Sequence, residues 1–226
     1  PNLTNGNYLI HSPYWNHGSS VDAGAVTLGN GVSGLTGIVS ADNSLVGGGA
    51  HTLSQPYFLN VTHAASPLPN GNYLVFMSNM PGGSGGMDLY ITNRLNGTWS
   101  TPVNLGTTIN TKGNEAFPFW SANGTLIFSS DGHDGMGGLD LFATSWNGID
   151  GFIGIQHLAA PFNSGRDDLG LIIAADGMSG YMATDRKPTK GRDDLYRWNS
   201  SQSIFCAPAI DVKEAREIMV VSEGSS

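Results

Sequence analysis

The chain has 226 residues, of which 39% are hydrophobic and only 12% charged, and it carries 32 glycines. That length can bury a sizeable core, the composition is too apolar for disorder, and the glycines keep no collagen period. A net charge of −8 argues against a general attraction to nucleic acid, no apolar run is long enough to span a membrane, and the single cysteine, Cys206, excludes an internal disulfide and reads as a small buried hydrophobe.

In chain order, the first fifty residues alternate as short strands between glycine turns. NGNYLIHSPYW (Asn5–Trp15), AGAVTLGNG (Ala23–Gly31) and GLTGIVSADNSLVG (Gly34–Gly47) carry the pattern. Tyr57–Val61 reads as one more strand before a proline-bounded connector. NGNYLVFMSNMPGGSGGMDLY (Asn70–Tyr90) is then a strand, a long glycine turn and a return strand. The same unit recurs as NGTLIFSSDGHDGMGGLDLF (Asn123–Phe142) and DGMSGYMATDRKPTKGRDDLY (Asp176–Tyr196). Asp88, Asp140 and Asp194 are spaced 52 and 54 residues apart, and so are the turn-entry residues Asn79, Asp131 and Asp185. A period of about fifty residues holding three or four short strands is the size of one propeller blade. The expected fold is therefore all-β: one domain over residues 1–226, a small β-propeller of about four blades of four antiparallel strands. Its units are about 5–60, 70–120, 121–170 and 171–221. In the tail, Asp211–Glu217 has helical propensity. Ile218–Val221 (IMVV) reads as a strand that would pair into the first blade and close the ring, removing exposed sheet edges.

These motifs carry two resemblances. Residues 1–50, with NGNYL, SPYW, AGAVTLGNG and SADNSLVG, resemble a bacterial surface-protein repeat that has no assigned activity. The stretch Asn70–Trp198 resembles the WD40-like PD40 β-propeller repeat of TolB-like proteins and of periplasmic propellers in OmpA-family proteins. It is closest to the version in Bacteroidota envelope proteins. The residues carrying it are LIFSSDGHDGMGGLDLF (Leu126–Phe142), PVNLGTTINTKGNEAFPF (Pro102–Phe119) and SGYMATDRKPTKGRDDLYRW (Ser179–Trp198). The resemblance implies a propeller fold and an exported protein, periplasmic, outer-membrane-associated or extracellular. A fold hosts many functions, so it implies no activity.

Several residues invite a chemical reading. Asp88, Asp140 and Asp194 begin each return strand, where a carboxylate can accept N–H bonds from the glycine turn. Asp131, His133, Asp134 and Asp140 form the densest ligand-like cluster, and Asp131, Asp134 and Asp140 are candidate calcium ligands, although the spacing misses the EF-hand pattern. Calcium is the one cofactor the sequence raises. Arg186, Lys187, Lys190 and Arg192 form a small basic cluster. Arg186 and Arg192 are candidate binding residues beside Asp131, His133 and Asp134, against the plainer reading of solvated turn residues. Trp99, Trp146 and Trp198 recur near strand ends and read as inter-blade packing, like Trp15 and Trp120. Glycoside hydrolysis would need two facing carboxylates, with Glu115, Asp167, Asp168 and Asp22 as candidates. The reading favoured is a non-catalytic interaction or structural module of the cell envelope. It would bind protein or glycan, or assemble with itself as an oligomer or filament. The alternatives are a propeller enzyme acting on polysaccharide and a calcium-stabilised surface module.

Overall fold

The structure is a computed structural model that describes residues 8–12, 25–29, 44–46, 65–67, 73–95, 98–146, 151–186, 193–204 and 219–220. The expected strand at Tyr57–Val61, the polar stretch Asp211–Glu217, and Trp15, Asp22, Lys187, Lys190, Arg192 and Cys206 lie outside the described residues. Among the described residues every regular element is a strand. The chain divides into two compact units, Pro1–Trp120 and Ser121–Ser226. The division coincides with the boundary between the sequence units 70–120 and 121–170.

In the first unit, β1 (Tyr8–Ser12), β2 (Ala25–Gly29) and β3 (Ser44–Val46) form an antiparallel meander. Thr27 and Ser44 are buried within it, and their hydroxyls pair at 2.6 Å. A second sheet holds β4 (Ala65–Pro67), β5 (Tyr73–Ser78), β6 (Asp88–Leu95), β7 (Thr98–Trp99) and β8 (Val103–Asn104). Both β7 and β8 pair with β6, so its fourth place is filled by two short pieces. The break between them is bridged by Ser100, whose N–H donates to the Asn93 carbonyl at 2.8 Å.

Next come β9 (Glu115–Trp120), β10 (Thr125–Ser130), β11 (Asp140–Trp146) and β12 (Phe152–His157), in the sheet order β12-β11-β10-β9. A final sheet runs β13 (Asp168–Ile173), β14 (Ser179–Thr184), β15 (Asp194–Asn199) and β16 (Met219–Val220). Two of the four sheets thus have the expected four strands; among the described residues the others have three and five. Within IMVV, Met219–Val220 form a strand, but it pairs with β15, Tyr196 opposite Val220 and Arg197 opposite Met219. It completes its own sheet rather than pairing into the first.

The three glycine-turn hairpins close on one register. Ser78 faces Asp88, Ser130 faces Asp140 and Thr184 faces Asp194. Counting from those aspartates aligns the two hairpin strands of each of the three sheets. Leu74, Phe76, Leu126, Phe128, Leu141 and Phe142 build the buried interiors. The central strands β5 and β10 are buried on both faces after their first residue, whereas in β14 buried residues alternate with half-buried Ser179 and Ala183 and exposed Tyr181. β9 packs on β5 and β6 in the first unit, and β13 packs on β10 and β11 in the second.

One position shows how a changed core is compensated. The pairs Leu74–Thr92 and Leu126–Thr144 become Gly180–Trp198 in the last sheet. The indole is 3% exposed and meets Phe162 edge-on with ring centres 5.4 Å apart. A methyl at Gly180 would overlap the Ile172 carbonyl oxygen and the Trp198 indole. Gly180→Ala should therefore cost about 3 kcal/mol of stability, the upper range for overpacking a closed core. Gly82 has φ +86 and open space around it, so Gly82→Ala should cost only about 1 kcal/mol of backbone strain. Urea unfolding of the two variants measures the difference.

Candidate functional site

The glycine turns are built around their own aspartates. Asp88 accepts the backbone N–H of Ser84 and, at 3.1 Å, that of Gly85, together with the Asn104 side-chain amide at 2.8 Å. Asp140 accepts the N–H groups of Met136 and Gly137 at 2.7 and 2.8 Å. Both carboxylates are buried. Asp194 stands half-buried opposite Thr184 at the same register position.

The turn glycines are needed for the segments that lie on them. Gly85 meets the backbone of Thr111–Gly113 and Gly86 meets Asn114; Gly137 meets the backbone of Arg166 and Gly138 meets Asp167. None has room for a Cβ. In the first unit the loop entering β9 is bonded to the turn: Gly86 N–H to Gly113 O at 2.8 Å, Met87 N–H to Asn114 at 3.1 Å, and Glu115 N–H to Met87 O at 2.6 Å. In the second unit the loop entering β13 repeats this. Leu139 N–H donates to Asp167 at 3.0 Å, and Asp168 N–H to Leu139 O at 2.7 Å.

The loops are held by a second repeated set. Asn110 grips both backbone groups of Leu89, at 2.8 and 2.9 Å, and Asn163 does the same to Leu141, at 2.7 and 2.9 Å. Glu115 accepts from the N–H and hydroxyl of Thr111 at 2.9 and 2.6 Å, and Asp168 accepts from the N–H and hydroxyl of Ser164 at 2.7 and 3.1 Å. The glycosidase candidates Glu115 and Asp168 are thus corresponding loop acids, both fully buried. Asp167 accepts from Leu139 and donates its own N–H to Asp185 at 2.9 Å. The signal was present in the sequence, because Asn110–Glu115 and Asn163–Asp168 share one spacing 53 residues apart.

Asp131 and Asp134 are exposed on their turn, and His133 lies against Phe142 with ring centres 5.1 Å apart. Among the described residues no three His, Cys, Asp or Glu side chains converge on one point. The residue sequence reading missed is His157. Its Nε2 stands 3.6 Å from Asp140 and accepts from the Asn163 amide at 2.9 Å. In the preceding sheet that place is held by Asn104, which donates to Asp88.

Arg186 is held within the fold rather than solvated. Its guanidinium donates to the carbonyls of Pro161 and Phe162 at 2.6 and 2.7 Å and to Asp168 at 2.5 Å, and its Nε reaches Thr184 at 3.3 Å. It also lies over the Tyr196 ring. Trp99 carries Arg94 over its ring, Trp146 is exposed edge-on to Phe152, and Trp198 is buried on Phe162. Burial pushes the Tyr90 hydroxyl above its ordinary value; a bond with Asn104 acts the other way and Asp88 adds to the rise.

The second unit has a cleft of about 330 Å³, lined by residues that include Thr125, Ile127, Thr144, Ile153, Gln156 and Ile173. Among the described residues no ionisable side chain lines it. It can hold a neutral group by shape and by hydroxyl or amide contacts.

A family model described as a repeat of unknown function, DUF5650, matches residues 2–53. No curated protein matches in sequence. Among solved structures, a protein assigned as TolB from Agrobacterium tumefaciens aligns over 86% of this chain and 57% of its own, at 12% identity and TM-score 0.52. TolB from Acinetobacter baumannii aligns over 80% and 37%, at 12% identity and TM-score 0.48. An α-L-arabinofuranosidase from Lactobacillus brevis aligns over 88% and 71%, at 12% identity and TM-score 0.40. The chain spans about half the length of the TolB chains. The fold is all-β and antiparallel, of the kind found in TolB-like propellers, and no helix among the described residues is long and apolar enough to cross a membrane.

The Arg186–Asp168 pair generates a prediction. Asp168 is fully buried, so Arg186→Met would strand an uncompensated carboxylate and should cost about 3–5 kcal/mol. Adding Asp168→Asn should recover part of that loss, because the buried charge goes with it. A double-mutant cycle by urea unfolding measures both.

Proposed function

We propose that this chain is a non-catalytic interaction or structural module of an exported envelope protein, docking protein or glycan through its surface. About four blades set around one axis would carry it, as in the PD40-type propellers of Bacteroidota envelope proteins. The observation that carries this reading is where the acids are. Asp88, Glu115, Asp140 and Asp168 are the buried carboxylates among the described residues, and each accepts hydrogen bonds from its own turn or loop. An acid or base catalyst must reach the proton it moves. A carboxylate closed over backbone N–H groups is a fold element, repeated because the sheets repeat. The cleft has no ionisable lining among the described residues, which fits a binding surface and not a reaction centre. The PD40 resemblance and the likeness to a TolB support placement at the envelope.

The test is a polysaccharide screen in which binding and hydrolysis are measured together. Retention on glycan or on envelope protein without release of reducing ends is the expected result. Turnover that vanishes in Glu115→Gln or Asp168→Asn, with the melting temperature held, would overturn the reading. The module needs no cofactor on this account, so excess chelator should leave the melting temperature unchanged; a fall of several degrees would restore the calcium-stabilised alternative.

A further inference from the structure

The two corresponding carboxylates Asp88 and Asp140 are satisfied unequally. On Asp88 both oxygens are bonded: Oδ1 accepts the N–H of Gly85, and Oδ2 accepts the N–H of Ser84 and the Asn104 amide. On Asp140 the two N–H groups of the turn, from Met136 and Gly137, both go to Oδ2. Its Oδ1 is buried and, among the described residues, accepts no hydrogen bond. Facing that same oxygen, at 3.6 Å, is Nε2 of His157.

The neutral imidazole has nothing to donate there. Asn163 holds Leu141 with Oδ1 on its N–H and Nδ2 on its carbonyl, which fixes the end of the amide that carries the hydrogens. Nδ2 therefore presents a hydrogen to His157 Nε2 at 2.9 Å, so the ring accepts at Nε2 and keeps its own proton on Nδ1. A second proton enters at Nε2 and points at Asp140. It exchanges a neutral amide–imidazole bond for a charge-assisted one to a buried carboxylate, about twice as strong. Asn163 gives up the ring and keeps both bonds to Leu141. The ring must close in by about 0.7 Å to reach charge-assisted bonding distance. The His157 side chain is 29% exposed against 1% for Asp140, so a solvent proton reaches the ring without opening the core.

The groups around the ring come from three elements. β11 supplies Asp140 and the Phe142 ring, edge-on with centres 5.2 Å apart. The glycine turn supplies His133, which also packs on Phe142. The loop entering β13 supplies Asn163, and the acid at its end, Asp168, is closed on Arg186 and Ser164. Among the described residues Asp140 is thus the charged group that faces His157.

We propose that His157 is a proton-operated clasp: protonation draws it onto Asp140 Oδ1 and tightens the glycine turn against the loop that enters β13. Both partners belong to that junction, since Asp140 shapes the turn on which the loop rests and Asn163 ties the loop to β11. The folded chain holds the proton in a pair that the unfolded chain lacks. The added stability is therefore present in acid and lost as the pH rises through the imidazole range.

Thermal melts of the full chain at about pH 8 and about pH 5.5, on either side of that range, test it. Excess chelator is present throughout, so that no cation at Asp140 contributes. Other ionisable groups also move the melting temperature, so the readout is the difference from His157→Asn. That variant puts the side chain of Asn104 in the same place, where it serves Asp140 and Asn163 together and does not titrate. Acidification should raise the melting temperature of the wild type relative to His157→Asn by about 3 °C, the shift that one such bond gives in a domain of this size. His133→Asn should keep the wild-type response. Parallel shifts in the wild type and His157→Asn would overturn the proposal, and so would loss of the response in His133→Asn. Imidazole-nitrogen NMR of the wild type reads the ring without any variant: in the alkaline sample the proton should sit on Nδ1, and a protonated Nε2 there would also overturn it.

Discussion

The structure depends on a carboxylate folded back onto a glycine turn. In water an aspartate is satisfied by solvent; buried, it must find donors in the protein or its burial costs several kcal/mol. Asp88 and Asp140 find them in the N–H groups three and four residues upstream. That requires the chain to curl tightly, and the side of the curl away from the carboxylate becomes a flat seat of bare backbone. The loop entering the next strand lies on that seat, close enough that Gly85 and Gly137 touch main chain. One interaction thus shapes both the hairpin end and the path by which the next loop reaches it.

This accounts for the features the sequence displayed and for those it concealed. The hairpins were legible because their signals are local: alternating strands, Asn-Gly turns and an aspartate at constant spacing. β5, β10 and β14 fall where the alternation puts them. The fate of IMVV was not legible, because a strand's own pattern says that it needs a partner and not which edge supplies one. Arg186 misled for a related reason. An arginine among lysines and glycines in a turn looks solvated, and its real partners, Pro161, Phe162 and Asp168, lie 18 to 25 residues earlier in the chain. Glu115 and Asp168 looked catalytic singly, and they make sense only as a pair at one place in successive loops.

Repetition also makes departures readable. Where three sheets share a register, a change in one is either compensated or exposed. Gly180 and Trp198 are compensated: the strand gives up a leucine, the facing threonine becomes an indole, and the volume is kept. His157 in place of Asn104 is a subtler exchange. Asparagine offers a donor to Asp88 and an acceptor to Asn110 at once, whereas a neutral imidazole accepting from Asn163 at Nε2 has no proton there for Asp140. Among the described residues, one oxygen of Asp140 accordingly has no hydrogen bond.

Tyr181 and Leu195 are the departures without internal compensation. Hydrophobic residues at these places are the ones the repeat ordinarily buries, and scattered apolar residues on a surface would need no explanation. Here they stand diagonally across one strand pair, Tyr181 opposite Arg197 and Leu195 opposite Ala183. The third turn keeps glycine, Gly191, at the place of Gly85 and Gly137, and has Arg192 at the place of Gly86 and Gly138. Drift alone would be expected to turn an uncovered face polar, as solubility favours.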